Sequence, residues 1–284
     1  MTPVLWDRRG RLGAGLLAAA LLFALAAPLV TTGEPNAQRD IVATRFLPPL
    51  ARDVHGALHL LGTDRFGRDV WTRLVYGARI SLAVGLLSVL ISVGLGTAVG
   101  ALAGWRRGAI SATLLGLTDF ALALPRVVLL LVCAALWRPG AALVIVLLGL
   151  TGWMPIARLV HGEVRGLAVR PFVEGALGVG ASRAHVLWRH VLPNALTPVI
   201  VAAALGVGNA ILLEAGLSYL GLGVQPPTPS WGNMIASGRD TLVNAPWVAA
   251  APGVALVLVV VACTLLGDAV RDALGQQRSA PGSS

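Results

Sequence analysis

The chain has 284 residues; 56% are hydrophobic, 12% are charged, and the formal net charge is +9. A soluble domain carries about 25% charged residues, so this composition excludes an ordinary soluble fold. The apolar residues run the whole length, which excludes a single-pass anchor, and the positive charge suits cytoplasmic loops of a membrane protein better than a nucleic-acid surface.

Every basic residue other than histidine is arginine. Arg8, Arg9 and Arg11 precede the uncharged run Leu12–Val30. A membrane helix needs roughly 20 apolar residues, and this run suits one. Arg8-Arg9, the apolar run and Ala24-Leu25-Ala26 also have the form of a secretory signal with its cleavage site. The run is long for a signal core, so an uncleaved first span is expected. The following loop is about residues 32–78; the seven arginines from Arg39 to Arg79 are partly offset by Glu34, Asp40, Asp53, Asp64 and Asp69.

The second expected span, Ile80–Gly104, is uncharged. Gly96, Gly100 and Gly104 recur every four residues in it, a spacing that lets helix backbones approach closely in lipid. Gly94-Leu-Gly96 is not a nucleotide fingerprint, because no strand precedes it. The third span, Ile110–Leu136, is apolar except for Asp119 and Arg126. The fourth is Gly140–Ile156, the fifth Ala195–Val224 with a single charge at Glu214, and the sixth Pro246–Gly267. These runs are too long and too rich in leucine and alanine for barrel strands, which alternate over about ten residues. The fold class is therefore all-α: a polytopic membrane protein with six transmembrane helices. Cys133 and Cys263 lie in apolar runs and read as packing residues. The segment Val224–Asn244, rich in Pro, Trp and Gly, reads as an ordered cap, and residues 271–284 as a disordered tail.

A cytoplasmic N-terminus puts Arg8, Arg9, Arg11, Arg106, Arg107, Arg158, Arg165, Arg170, Arg183, Arg189, Arg271 and Arg278 on the cytoplasmic side. The positive-inside rule then places both termini inside. Chemistry is scarce. A P-loop needs a lysine, and there is none. No His-Glu-x-x-His occurs, and Gly216-Leu-Ser218-Tyr-Leu-Gly221 has one residue too many for a nucleophile elbow. The histidines, His55, His59, His161, His185 and His190, do not cluster like metal ligands. No catalytic, cofactor-binding or metal-binding residue is expected. Polar residues within the spans, Asp119, Arg126, Asn209 and Glu214, are candidates for a translocation path or gate, because charge is expensive there.

Between the fourth and fifth spans lies a polar, arginine-bearing stretch, Glu174–Asn194. Pro171 suits the first turn of a helix, Gly180 its stop, and Ser182 the cap of a second helix that Pro193 ends. Two short helices joined by a glycine turn, held just outside a membrane, suit docking to another protein.

Residues 174–193 resemble the cytoplasmic signature loop of permease subunits in binding-protein-dependent ABC importers: Glu-Ala-Ala, three residues, Gly, nine residues, Ile, one residue, Leu-Pro. Glu174, Ala176, Gly180, Leu192 and Pro193 stand at that spacing; Gly175 and His190 depart from it. His190-Val-Leu-Pro-Asn194 is similar to the variant of peptide-importer permeases. So are Leu61-Gly-Thr-Asp-Arg-Phe-Gly-Arg-Asp69, with Tyr76-Gly-Ala-Arg-Ile-Ser-Leu82 behind it, and the stretch from Glu214 to Met234. The resemblance covers about residues 60–270 and points to the C-type permease of the dipeptide/oligopeptide group, which includes nickel and glutathione systems. It implies a type I importer fold, with coupling helices in a loop of about residues 160–193 that dock on an ATPase. The coupling residues it marks are Glu174, Gly175, Ala176, Gly180, Ala181, Ser182, Arg183, His190, Leu192 and Pro193. It implies a homologous second permease, one or two ATPase subunits carrying the ATP and magnesium, an extracytoplasmic binding protein and a bacterial inner membrane. The rival expectation, a self-sufficient secondary transporter or channel, calls for internal repeats and ion-coupled charges at mid-membrane.

Overall fold

The computed structural model describes residues 7–31, 33–38 and 40–279. The chain opens with α1 (Arg8–Leu25) and a single turn, α2 (Ala27–Val30). A loop follows, holding α3 (Ile41–Thr44) and a small antiparallel hairpin of β1 (Ala51–Arg52) and β2 (Leu58–His59), in which Ala51 faces His59. The bundle is then built from α4 (Val70–Trp105), α5 (Ala109–Ala123), α6 (Arg126–Leu136) and α7 (Ala141–Leu167). The short helices α8 (Pro171–Gly178), α9 (Arg183–Val186) and α10 (Leu192–Ala195) lead into α11 (Thr197–Tyr219), the short α12 (Trp231–Gly238) and the long α13 (Trp247–Ser279).

Among the described residues, four helices are long and apolar enough to cross a membrane: α4, α7, α11 and the Trp247–Leu274 part of α13. Against the six spans expected, these four become five when one bent pair is counted as a single crossing. The third span is not one helix: α5 and α6 meet at a bend of 82° and make a fifth crossing only if counted together. Pro125 causes the break, since it has no N–H for the helix ladder and turns Leu124 away from helical geometry; Leu124 has ψ 130. The first helix, α1, has 18 residues, but Arg8, Arg9 and Arg11 occupy its first turn, which shortens the apolar part. Its last carbonyls, of Ala24 and Leu25, accept hydrogen bonds from the Arg79 guanidinium of α4.

Three boundaries also shift. α4 begins at Val70 rather than Ile80, because Asp69 caps it and Arg73, buried, is held by the Pro35 carbonyl and Asn36. α7 continues past Ile156 to Leu167, so the loop expected from residue 160 begins as helix. The tail expected to be disordered from residue 271 is helical to Ser279; residues 280–284 lie outside the described residues.

The loop before α4 is ordered by its acids. Asp64 accepts the N–H groups of Phe66 and Arg68 and the Arg68 Nε. His59 lies between Asp69, at 2.8 Å from Nδ1, and Asp53, at 3.6 Å from Nε2. Burial pushes the Asp53 carboxyl up, but the N–H groups of Ala57 and His55, with His59 beside it, outweigh this and hold it below its usual range. Asp69 does two things: Oδ2 accepts the Thr72 N–H at 2.7 Å, capping α4, and Oδ1 meets His59. A lost cap costs about 1 kcal/mol. Asp69→Ala is therefore expected to lower the melting temperature of the detergent-solubilised protein by about 2–4 °C. An unchanged melting point would show that the cap contributes nothing.

Candidate functional site

The polar hairpin after α7 is built by local rules. Pro171 stands at the first position of α8, where its missing N–H costs nothing. Gly180 has φ +92, and the bonds Gly180 N–H to Leu177 O (3.0 Å) and Ala181 N–H to Ala176 O (3.1 Å) form a Schellman stop. Ser182 Oγ accepts the His185 N–H and caps α9. Pro193 does not end the second helix, as its position suggests. The chain widens to a π-turn over Leu187–Val191, with the Leu192 N–H bonded to Leu187 O, and the helix continues to Ala195. A π-turn lets the helix carry a proline without the usual clash. Asn194 Nδ2 donates to the His190 carbonyl at 2.6 Å.

The hairpin has two faces. Val173, Val186, Val191, Leu192 and Ala195 are buried with Ile156, Val160 and Val164 of α7, Ala101 of α4 and Val199 of α11. The opposite side is open: Glu174, Gly175, Gly180, Ser182, Arg183, Arg189 and Pro193 are exposed. Val179 is 88% exposed and Trp188 70%, and Phe172 is also exposed. These three apolar side chains were not singled out by motif; large apolar residues inside an otherwise polar hairpin were the available signal. Ala176, Ala181 and His190 are half-buried, and Leu192 belongs to the core.

The four polar residues of the apolar runs separate. Arg126 and Asn209 come together, lining one cleft of about 280 Å³ with Ser88 and Ser92 of α4, Gly152 and Pro155 of α7 and Gly206 of α11. Arg126 Nε donates to Thr151 Oγ1 (3.3 Å) and Nη2 to the Leu148 carbonyl (3.2 Å). A Cβ at Gly152 would strike Ser92 Oγ and lie 3.3 Å from Arg126 Nη2, so the glycine leaves the guanidinium its room. Asp119 is elsewhere: it pairs with Arg158 of α7 at 2.5 Å, half-exposed.

Glu214 does not line the cleft either. It is 0% exposed and sits in a knot of three serines. Its Oε1 accepts from Ser218 Oγ (2.7 Å) and Ser230 Oγ (2.9 Å), and its Oε2 from Ser81 Oγ (3.4 Å). Each serine oxygen accepts a backbone N–H in turn: Ser218 from Val224, Ser230 from Asn233, Ser81 from Trp231. The knot ties α12 to α4 and α11. Among the described residues, no group of three or more His, Cys, Asp or Glu side chains gathers as a metal site.

Long apolar helices, one broken helix and a polar hairpin outside the bundle define a polytopic membrane protein. Over residues 96–279 the chain matches the family described as binding-protein-dependent transport system inner membrane component. It is 40% identical over 268 residues to the Di/tripeptide transport system permease protein DppC of Pseudomonas aeruginosa, covering 94% of this chain and 88% of that one. A Brucella suis protein named provisionally as a peptide transport system permease is also 40% identical over 268 residues, covering 94% of this chain and 87% of that one. In fold the chain is similar to a chain of the inward-facing MetNI methionine ABC transporter, with a TM-score of 0.58 at 22% identity, covering 70% of this chain and 95% of that one. The chain belongs to the family of binding-protein-dependent transport system inner membrane components.

Proposed function

We propose that this chain is the translocating permease subunit of an ATP-driven ABC importer of di- and oligopeptides. It works beside a homologous second permease, one or two ATPase subunits and an extracytoplasmic binding protein. The two-faced hairpin carries this reading. The hairpin exposes Phe172, Val179 and Trp188 together with Arg183 and Arg189, a surface suited to an acid-bearing partner protein. Its closed side is welded to α7 and α4 through Val173, Val186 and Val191. A displacement of the hairpin therefore moves the bundle, which is what coupling to an ATPase requires. ATP is hydrolysed on the partner chains, and this chain does no covalent chemistry. The peptide class follows the printed names of the relatives.

In this reading α1 is the first of six spans, α5 and α6 together are the third, and the hairpin and both termini face the cytoplasm. The loop of β1 and β2 and the α12 cap face the binding protein. Arg126 and Asn209 line the peptide's path.

Gly180→Trp tests the coupling. No atom lies within 4 Å of a Cβ built at Gly180. The substitution therefore acts through the positive φ and the docking face, not through a clash inside the chain. Wild-type protein purified from membranes is expected to bring ATPase chains with it. The variant loses at least tenfold of either the bound ATPase or the peptide uptake. A wild type that transports peptide with no ATPase chain bound would overturn the proposal in favour of a self-sufficient transporter.

A further inference from the structure

Arg126 is a cation with no counter-ion. Among the described residues no carboxylate pairs with it; Nε and Nη2 spend one bond each on Thr151 Oγ1 and the Leu148 carbonyl. The edge formed by Nη1 and the second hydrogen of Nη2 is free, and a guanidinium edge of that form matches a carboxylate in two parallel bonds. The residue opens α6 at the bend after α5, within the apolar stretch Ile110–Leu136. An unpaired charge in an apolar span is costly and marks a solute path.

The rest of the cleft complements the cation. Asn209 offers an amide with no hydrogen bond among the described residues. Ser88 and Ser92 donate to the Val84 and Gly149 carbonyls, which leaves their oxygens as acceptors. Pro155 has no N–H for the Thr151 carbonyl one turn back. Val89, Val93, Ile156 and Ala202 supply apolar wall that makes no demand on side-chain identity.

We infer that Arg126 receives the C-terminal carboxylate of the passing peptide, the anionic group that unmodified linear peptides share, with Asn209 and the serine oxygens meeting its N–H groups. This rests on the peptide-importer reading and names the residue that recognises the substrate class.

Saturation-transfer NMR tests it. Trialanine and trialanine amide are titrated, without binding protein, onto the full-length chain purified in nanodiscs with its accompanying subunits. Wild type is expected to hold the free acid roughly tenfold more tightly than the amide, the scale of one hydrogen-bonded charge pair. In Arg126→Gln the acid-to-amide ratio falls to about one, and in Arg126→Lys, which keeps the charge without the fork, it falls between. The amide titration shows in each sample that the cleft is intact. A wild type with no preference for the acid, or an Arg126→Gln with the wild-type ratio, overturns the inference. If Arg126→Gln binds neither peptide, a wild-type ratio in Arg126→Lys overturns it instead. Parallel uptake of labelled trialanine into proteoliposomes with binding protein and ATP separates the two claims. Uptake without acid preference at the cleft sinks only the role of Arg126, whereas no uptake sinks the peptide-importer reading as well.

Discussion

Gly100→Leu is expected to leave little protein folded. α4 and α7 form the most extensive helix pair of the bundle, and they meet along Gly96, Gly100 and Gly104. A Cβ at Gly100 would strike the Ala157 carbonyl oxygen and lie 2.8 Å from Val160 Cβ. At Gly96 it would lie 2.6 Å from the Trp153 oxygen and from Ile156 Cβ, and at Gly104 2.9 Å from the His161 oxygen. The obstacles are backbone atoms and branched stems, which cannot swing aside as the end of a side chain can. The helices must part, and the glycine contacts above and below are lost with them. Single overpacking substitutions cost about 1–3 kcal/mol; here the damage spreads along three turns, and a loss above about 3 kcal/mol is expected. Gly94 supplies the control: it lies on the same helix with nothing within 4 Å of a built Cβ. Gly94→Leu should therefore change stability by no more than about 0.5 kcal/mol. The measurement is the monodisperse fraction of a fluorescent fusion in detergent, with its melting temperature. Similar losses at both positions would show that leucine is harmful anywhere on α4 and that the close approach is not the cause.

That glycine seam was legible in the sequence because its rule is local: small residues four apart share one helix face. The same holds for Pro171, Gly180 and Ser182 in the hairpin, where each residue type suits one backbone geometry. The π-turn was not legible, since Pro193 taken alone is a helix stop and only the widened ladder from Leu187 to Leu192 shows that it was carried through. Hydropathy located the apolar runs but not their shape. It passed over Pro125, because proline in an apolar run barely changes the mean, and it cut α4 short at Ile80, because Arg73 and Arg79 read as loop. Both arginines are satisfied by the loop and by α1, far away in sequence. Polar residues inside apolar runs marked four positions for attention without distinguishing them. Arg126 and Asn209 face the cleft, Asp119 has Arg158, and Glu214 has serines drawn from α4, α11 and the start of α12. Nothing local separates a carboxylate in a path from one in a knot; the partners decide.

The knot makes Glu214→Ala the other large loss. Three hydroxyls donate to one buried carboxylate, and each hydroxyl oxygen also accepts a backbone N–H. Removing the carboxylate strands three buried O–H donors, and each stranded group costs about 1–3 kcal/mol. The damage concentrates at one end of the bundle, where Gly232 and Trp231 hold α12 against α11 and α4. Glu214→Gln should be far milder. Its remaining oxygen can keep Ser218 and Ser230, and its NH2 group, placed at Oε2, finds in Ser81 Oγ an acceptor with a lone pair to spare. The expected order is wild type, then Gln lower by about 1 kcal/mol, then Ala. In Ala, α12 detaches before the rest unfolds, and proteolysis between Gln225 and Ser230 rises while the glycine seam of α4 and α7 stays protected. If Glu214→Gln is as damaging as Glu214→Ala, the knot needs both carboxylate oxygens as acceptors, and one amide oxygen with a relocated donor does not replace them. If neither variant frees α12, the serines find other acceptors and the cap is held by its apolar face, Trp231 and Met234, alone.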